Sequence, residues 1–172
     1  LAELERRGKL QCSIANNVHN LPGRAGCKKI LNLHGTIYDN ECPRCGKKYS
    51  MEYMRDSRKV PLCQECMVPV RPKVLLFGEQ VDNQVMTEAV GEISRAEVLL
   101  LLGTSINSGL CDGYVQYFHG KTMIIIHAQK HFTDEKADVV LHEEVKSALP
   151  RIVWPEGRDD GSAESENAEN AD

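Results

Sequence analysis

Apolar side chains along this chain come in two patterns. In the first they form short unbroken runs such as "VLLLL" and "MIII". Strands covered on both faces look like this, whereas a half-exposed strand alternates apolar and polar positions. Strands are predicted on this basis over residues 10–18, running into an Asn-rich loop, 28–35, ending at His34, 73–78, 97–105 and 121–128. In the second pattern the apolar residues recur at three and four: Val85, Met86, Ala89, Val90, Ile93 and Ala96. That spacing is one face of a helix over residues 82–96, with Asp82 as its N-cap. Residues 137–153 hold a short strand and then a terminal helix whose Val145, Ala148, Leu149 and Ile152 share a face, and residues 1–10 are helix-like. Alternating strands and helices with unbroken apolar strands predict an α/β fold, a parallel sheet with helices on both faces. Residues 36–71 break the pattern, being polar and loop-like.

Charge changes the picture at one end only. The net charge of the 172 residues is −4, but seven acidic residues and one arginine lie after Pro155, leaving 20 basic and 18 acidic side chains before it. The tail, residues 154–172, has almost no large apolar residue with which to offset its ordering entropy, and is expected to be disordered. The nearly neutral remainder has no basic stripe, and aromatic content is 5%. Direct nucleic-acid binding is therefore not predicted. No apolar run is long enough to span a bilayer, and no basic-then-apolar leader opens the chain. A soluble, intracellular and most simply cytoplasmic protein is expected, with no membrane partner.

The seven cysteines sort by spacing. Cys42 and Cys45 form one Cys-x-x-Cys, Cys63 and Cys66 a second, and seventeen residues separate the pairs. Two such knuckles bring four thiolates together, a donor set suited to one structural zinc ion per chain. Disulfides and a redox dithiol are the alternatives. Cys12, Cys27 and Cys111 have no paired spacing and are expected to be idle thiols.

Ligands of parallel sheets collect outside the carboxyl ends of the strands. Three loops qualify: 15–20, 103–109 and 127–129. The second, "GTSINSG", is glycine- and hydroxyl-rich, as a phosphate- or ribose-binding loop is, and equally as a plain turn is. His34, at the end of its strand, is open to two readings: a hydrogen-bonded structural histidine or a proton-transfer group.

The order of these features resembles the sirtuin family of NAD-dependent protein deacylases. The stretches that carry it are "ANNVH" (15–19), "LHG" (33–35), the two cysteine pairs, "RPKVLLFGE" (71–79), "GTS" (103–105) and "IIH" (125–127), in family order from Leu1 to about Val153. The resemblance implies a Rossmann-like sheet, residues 1–35 and 72–153, with a four-cysteine zinc-ribbon module inserted at 36–71. It implies NAD as cofactor, an acylated-lysine protein or peptide as substrate, and transfer of the acyl group to ADP-ribose with release of nicotinamide. By the same carry-over His34 is the general base, at the floor of a cleft whose wall the zinc module props. An imidazole suits that task because its ordinary pKa lies near neutrality. Asn16, Asn17 and His19 match the nicotinamide-side loop. Gly103, Thr104 and Ser105 match the loop for phosphates and adenosine ribose, and His127 a further ribose contact. Leu75 and Phe77 match apolar positions of the acyl-lysine tunnel, which plain sheet core would also explain. Gly78 and Glu79 match the segment that pairs edge-on with substrate backbone.

Departures from the family pattern are specific. His19 stands where an Asp holds the nicotinamide carboxamide, Ala15 replaces Thr, Pro22 replaces His, and His127 replaces a ribose-binding Asn. Nothing resembles the family's Gly-Ala-Gly phosphate loop or Asp-Phe-Arg segment, so the resemblance implies a catalytic domain lacking its N-terminal part. A catalytically impaired module that binds acylated peptide or a protein partner is the alternative expectation.

Overall fold

The computed structural model describes residues 1–153; the acidic tail lies outside the described residues. In chain order the elements are α1 (Ala2–Arg6), β1 (Ser13–Ala15), α2 (Leu21–Arg24), β2 (Ile30–Asn32), β3 (Gly35–Glu41), β4 (Lys48–Tyr49), α3 (Met51–Asp56), β5 (Arg71–Val74), α4 (Asn83–Arg95), β6 (Val98–Leu102), α5 (Gly109–Val115), β7 (Thr122–Ile126), a 3-10 helix (Phe132–Lys136), β8 (Val139–Leu141) and α6 (Val145–Val153). They gather into two compact units. Unit 1 holds Leu1–Ala96 and Gly113–His119; unit 2 holds Glu97–Asp112 and the chain from Gly120 on.

In unit 1, β1 and β2 pair in parallel, with Ser13 opposite Ile30 and Ala15 opposite Asn32. An antiparallel sheet of order β4-β3-β5 follows. Helix α4 packs on β2, burying Ala89 and Ile93 from the predicted face while Met86 stays exposed. Its N-cap is Asp82, whose carboxylate accepts the N–H groups of Gln84 (2.8 Å) and Val85 (3.2 Å), two donors with no partner inside the helix. The side chain of Lys29, just before β2, reaches Glu92 on α4 at 2.6 Å.

In unit 2, β6, β7 and β8 form a parallel sheet in that order, in register from Val98 opposite Thr122 to Leu102 opposite Ile126. Its core is aliphatic: Leu101, Ile106, Met123, Ile125, Ile126 and Ala148 of α6 are all buried. The expectation of parallel strands holds in both units, but the pairing comes as a two-stranded and a three-stranded piece among the described residues.

Three strand boundaries differ from those expected, and the strand predicted over 28–35 stops at Asn32, which leaves His34 in a turn rather than at a strand end. The strand predicted over 73–78 lies at Arg71–Val74, because the antiparallel ladder with β3 takes in Arg71 and Pro72. Beyond Val74 the chain turns: the Glu79 N–H donates to the Leu76 carbonyl, the Glu79 carboxylate accepts the Leu76 N–H at 2.8 Å, and Gly78 has φ +86°. The long apolar run 10–18 yields only Ser13–Ala15, since Asn17 accepts the His19 N–H at 3.0 Å and turns the chain out of the sheet.

Candidate functional site

The four cysteines converge. Sγ atoms of Cys42, Cys45, Cys63 and Cys66 lie within 4.8 Å of one another, and Cys42 and Cys63 are fully buried. The two knuckles that present them are built alike. In the first, the Cys42 N–H donates to the Lys47 carbonyl and the Gly46 N–H to the Cys42 carbonyl; in the second, the Cys63 N–H donates to Val68 and the Met67 N–H to Cys63. Both need a left-handed residue at the fourth position after the first cysteine: Gly46 has φ +72° and Met67 +54°. Tyr49 and Val70 are buried beside the sulfurs, with Tyr53, Met54 and Val68 partly buried around them.

Hydrogen bonds poise these thiols for metal. The Tyr49 hydroxyl donates to Cys63 Sγ at 3.2 Å and, chiefly for that reason, the Cys63 thiol is held down to about 6. Contact with Cys45 pushes the Cys66 thiol up, so in the absence of metal the cluster shares its protons unequally. Four convergent soft donors at this separation fit one tetrahedral zinc ion, with Cys42, Cys45, Cys63 and Cys66 as ligands. The other three thiols are apart from it, and burial pushes Cys12 (to about 11) and Cys111 up, as inert cysteines require.

His34 sits in the two-residue turn between β2 and β3. Its carbonyl accepts the Leu75 N–H at 2.9 Å, while its imidazole is half-buried and hydrogen-bonds to none of the described residues. Gly35 explains why a glycine must follow. It has φ +68°, and a Cβ there would stand 1.8 Å from the Lys73 carbonyl oxygen. Strands β3 and β5 thus touch backbone to backbone at the histidine. The loop after β1 runs alongside: the Leu33 N–H donates to Ala15, and the Ile37 N–H to Val18. Asn16, Asn17 and His19 are exposed on that loop, and Asn32, two residues before His34, buries an Oδ1 with no partner.

On the other side of the zinc module, Leu75 is half-buried and Phe77 wholly exposed. The Leu76 N–H donated to it, and after that the ion pair with Arg71, hold the Glu79 carboxyl below the ordinary range. The expected substrate segment is therefore a turn, closed by its own carboxylate.

In unit 2, Gly103 has φ +66° and its N–H donates to the Ile126 carbonyl, which sets the loop after β6 beside the end of β7. Thr104 and Ser108 share a hydrogen bond of 2.8 Å between their hydroxyls. His127 is next to that loop but is buried, with Nε2 at 3.0 Å from Asp134. A third residue joins them: His142 Nε2 lies 2.9 Å from the other oxygen of Asp134, which also accepts the His131 N–H. Burial opposes ionisation of Asp134, but the bonds from His142, the His131 N–H and His127 outweigh it and hold its carboxyl down to about 2. Asp134 and His142 were missed in the sequence because no compact spacing marks them.

Comparison with known proteins settles the kinship. Residues 1–108 match the Sir2 family. The chain belongs to the Sir2 family. It is 32% identical over 154 residues to a Clostridium acetobutylicum protein named NAD-dependent protein deacetylase, covering 89% of this chain and 63% of that one. A protein of the same name from Thermotoga maritima is 39% identical over 109 residues, 62% of this chain and 44% of that one. Among solved structures, one described as bearing on sirtuin substrate affinity superposes with a TM-score of 0.81 at 31% identity, over 91% of this chain and 66% of that one. A Sir2 complex with the inhibitor EX-527, 2'-O-acetyl-ADP-ribose and a deacetylated p53 peptide gives 0.76 at 31%, over 88% and 67%. The chain thus spans less than two thirds of the length of the first curated relatives it matches. The Sir2 kinship makes the fold the Rossmann-like α/β kind with its zinc module, and among the described residues no helix is long and apolar enough to cross a membrane.

Proposed function

We propose that this Sir2-family chain serves NAD-dependent deacylation of protein lysines, transferring the acyl group to ADP-ribose with release of nicotinamide. The observation that carries the reading is the state of His34. A structural histidine of a folded domain is ordinarily hydrogen-bonded, yet this half-buried imidazole hydrogen-bonds to none of the described residues, while its backbone carbonyl accepts the Leu75 N–H. A ring whose nitrogens are unengaged is fit to take a proton from a ribose hydroxyl.

The other residues take the roles that the family pattern gives them. Asn16 and Asn17 are exposed and retain amide groups for the nicotinamide ribose, with the orphaned Asn32 acceptor close in sequence to His34. His19 stands ready for the carboxamide. Gly103, Thr104 and Ser105, in a tight loop of small side chains, suit phosphate and ribose oxygens, and His127 can meet a ribose only through Nδ1 while Nε2 serves Asp134. When bound, NAD supplies the activated ribose carbon and the leaving nicotinamide. Leu75 and Phe77 offer apolar surface to an acyl-lysine, and Gly78 and Glu79 backbone to its peptide. Sir2 structures bound to acetylated and propionylated peptides support a short-chain acyl substrate. Residues 36–71 act as the zinc module between two nucleotide-fold segments, and a reduced four-thiolate cluster accords with an intracellular, cytoplasmic setting.

The test is nicotinamide release by the complete gene product given NAD and an acetyl-lysine peptide. Release should occur, and His34→Ala should lower it by about 100-fold or more. A second reading, a module that binds acylated peptide without turnover, draws on the commitment of His127 to Asp134. Peptide binding with no nicotinamide release from the unaltered protein would establish it and overturn the first.

A further inference from the structure

We propose that His127, Asp134 and His142 form a second metal site, one of nitrogen and oxygen donors, for a divalent ion of the zinc class. The inference stands apart from the deacylase reading and from the thiolate cluster. All three residues belong to unit 2. They come from three successive segments: His127 follows β7, Asp134 lies in the 3-10 helix, and His142 follows β8.

Geometry is the first support. One donor atom from each residue lies within 4.8 Å of the other two, and the two Nε2 atoms stand 3.0 and 2.9 Å from the Asp134 oxygens. Ligands of a tetrahedral zinc ion at bond lengths of about 2.0–2.1 Å are roughly 3.3 Å apart, so the two Nε2–oxygen distances fall a few tenths of an ångström short of those around a bound ion. Two imidazoles and one carboxylate are a donor set that suits zinc, cobalt or nickel over magnesium or calcium.

Charge is the second. The Asp134 carboxylate is buried, and among the described residues neither lysine nor arginine pairs with it. The two imidazoles and the His131 N–H satisfy its lone pairs, but no permanently charged cation stands beside this buried carboxylate among the described residues, a place that a bound metal ion can fill. The capping box of the 3-10 helix explains only the bond from the His131 N–H to Asp134; it does not account for two imidazoles turned toward the same carboxylate. An imidazole binds metal through Nε2 in the tautomer that carries its proton on Nδ1, so the exchange needs that tautomer at both rings. His142, at 31% side-chain exposure, opens the fourth coordination position to water. Bound there, the ion would fasten the ends of β7 and β8 to the helix between them.

The experiment is metal content of the reduced, intact protein after equilibration with micromolar zinc, and the visible spectrum after equilibration with cobalt. Two ions per chain are expected, one with thiolate-to-metal charge-transfer absorption and one without. His142→Asn, a change at a half-exposed position, should remove the second ion and leave the thiolate band intact; Asp134→Asn should do the same. One ion per chain in the unaltered protein overturns the site, and so does a second ion that survives in His142→Asn. Should Asp134→Asn fail to fold, His142→Asn decides alone.

Discussion

The sulfur cluster of unit 1 and the histidine–carboxylate cluster of unit 2 are opposite solutions to one problem, how to hold loops together. Around the cysteines the buried set is Cys42, Tyr49, Cys63 and Val70, too little apolar surface to offset the ordering of residues 36–71. The metal there makes the fold. Around His127 the sheet already has Leu101, Ile125, Ile126 and Ala148 beneath it, and the two histidines follow strands, with Asp134 on the 3-10 helix between them, elements that need no ion. There the fold makes the site.

The sharpest way to break this contrast is to remove zinc from unit 1. Structural zinc sites contribute roughly 10–16 kcal/mol, so chelation, or Cys63→Ala, should abolish amide protection across β4, α3 and the second knuckle. Hydrogen exchange should meanwhile leave β7 protected; equal loss in both regions would refute the contrast. The complementary test cuts unit 2 at its core. Ile125→Ala removes a fully buried side chain and should destabilise by about 2–5 kcal/mol, read by denaturant unfolding, with zinc content unchanged. The smallest effect refines the picture of the knuckles. Gly46 and Met67 occupy equivalent left-handed positions, and Met67 is 66% exposed. Met67→Gly relieves backbone strain of about 1–2 kcal/mol against a gain in unfolded-state entropy that costs about 0.4–1 kcal/mol. A net gain near 0.5 kcal/mol, or a rise of about 1–2 °C in Tm, is expected.

How much of this was legible from the residues depends on the range of the forces involved. The zinc ligands were, since a knuckle is a local turn whose cysteines lie three apart. The α4 cap was too, because Asp82 meets its partners within three residues. Unbroken apolar runs marked β6 and β7 for the same reason. By contrast, Asp134 meets His127 and His142 only after the chain has passed through a 3-10 helix and a strand, and nothing in the spacing of seven and eight announces it. The turn after Val74 was hidden because "VLLFG" has a strand's apolarity, and the decisive signal was Glu79, whose carboxylate closes the turn from outside the run. Helices α2 and α5 contain Pro and Gly, which point to loops when taken alone.

Gly35 has one more consequence. With the Lys73 oxygen pressed where any side chain would begin, the strand that follows the turn of the imidazole and the strand that leads toward Phe77 are clamped backbone to backbone. Substitutions in the exposed turn at 76–79 can therefore accumulate without shifting the backbone on which the imidazole is carried, and the two segments are free to vary independently, divided by the width of a missing methyl group.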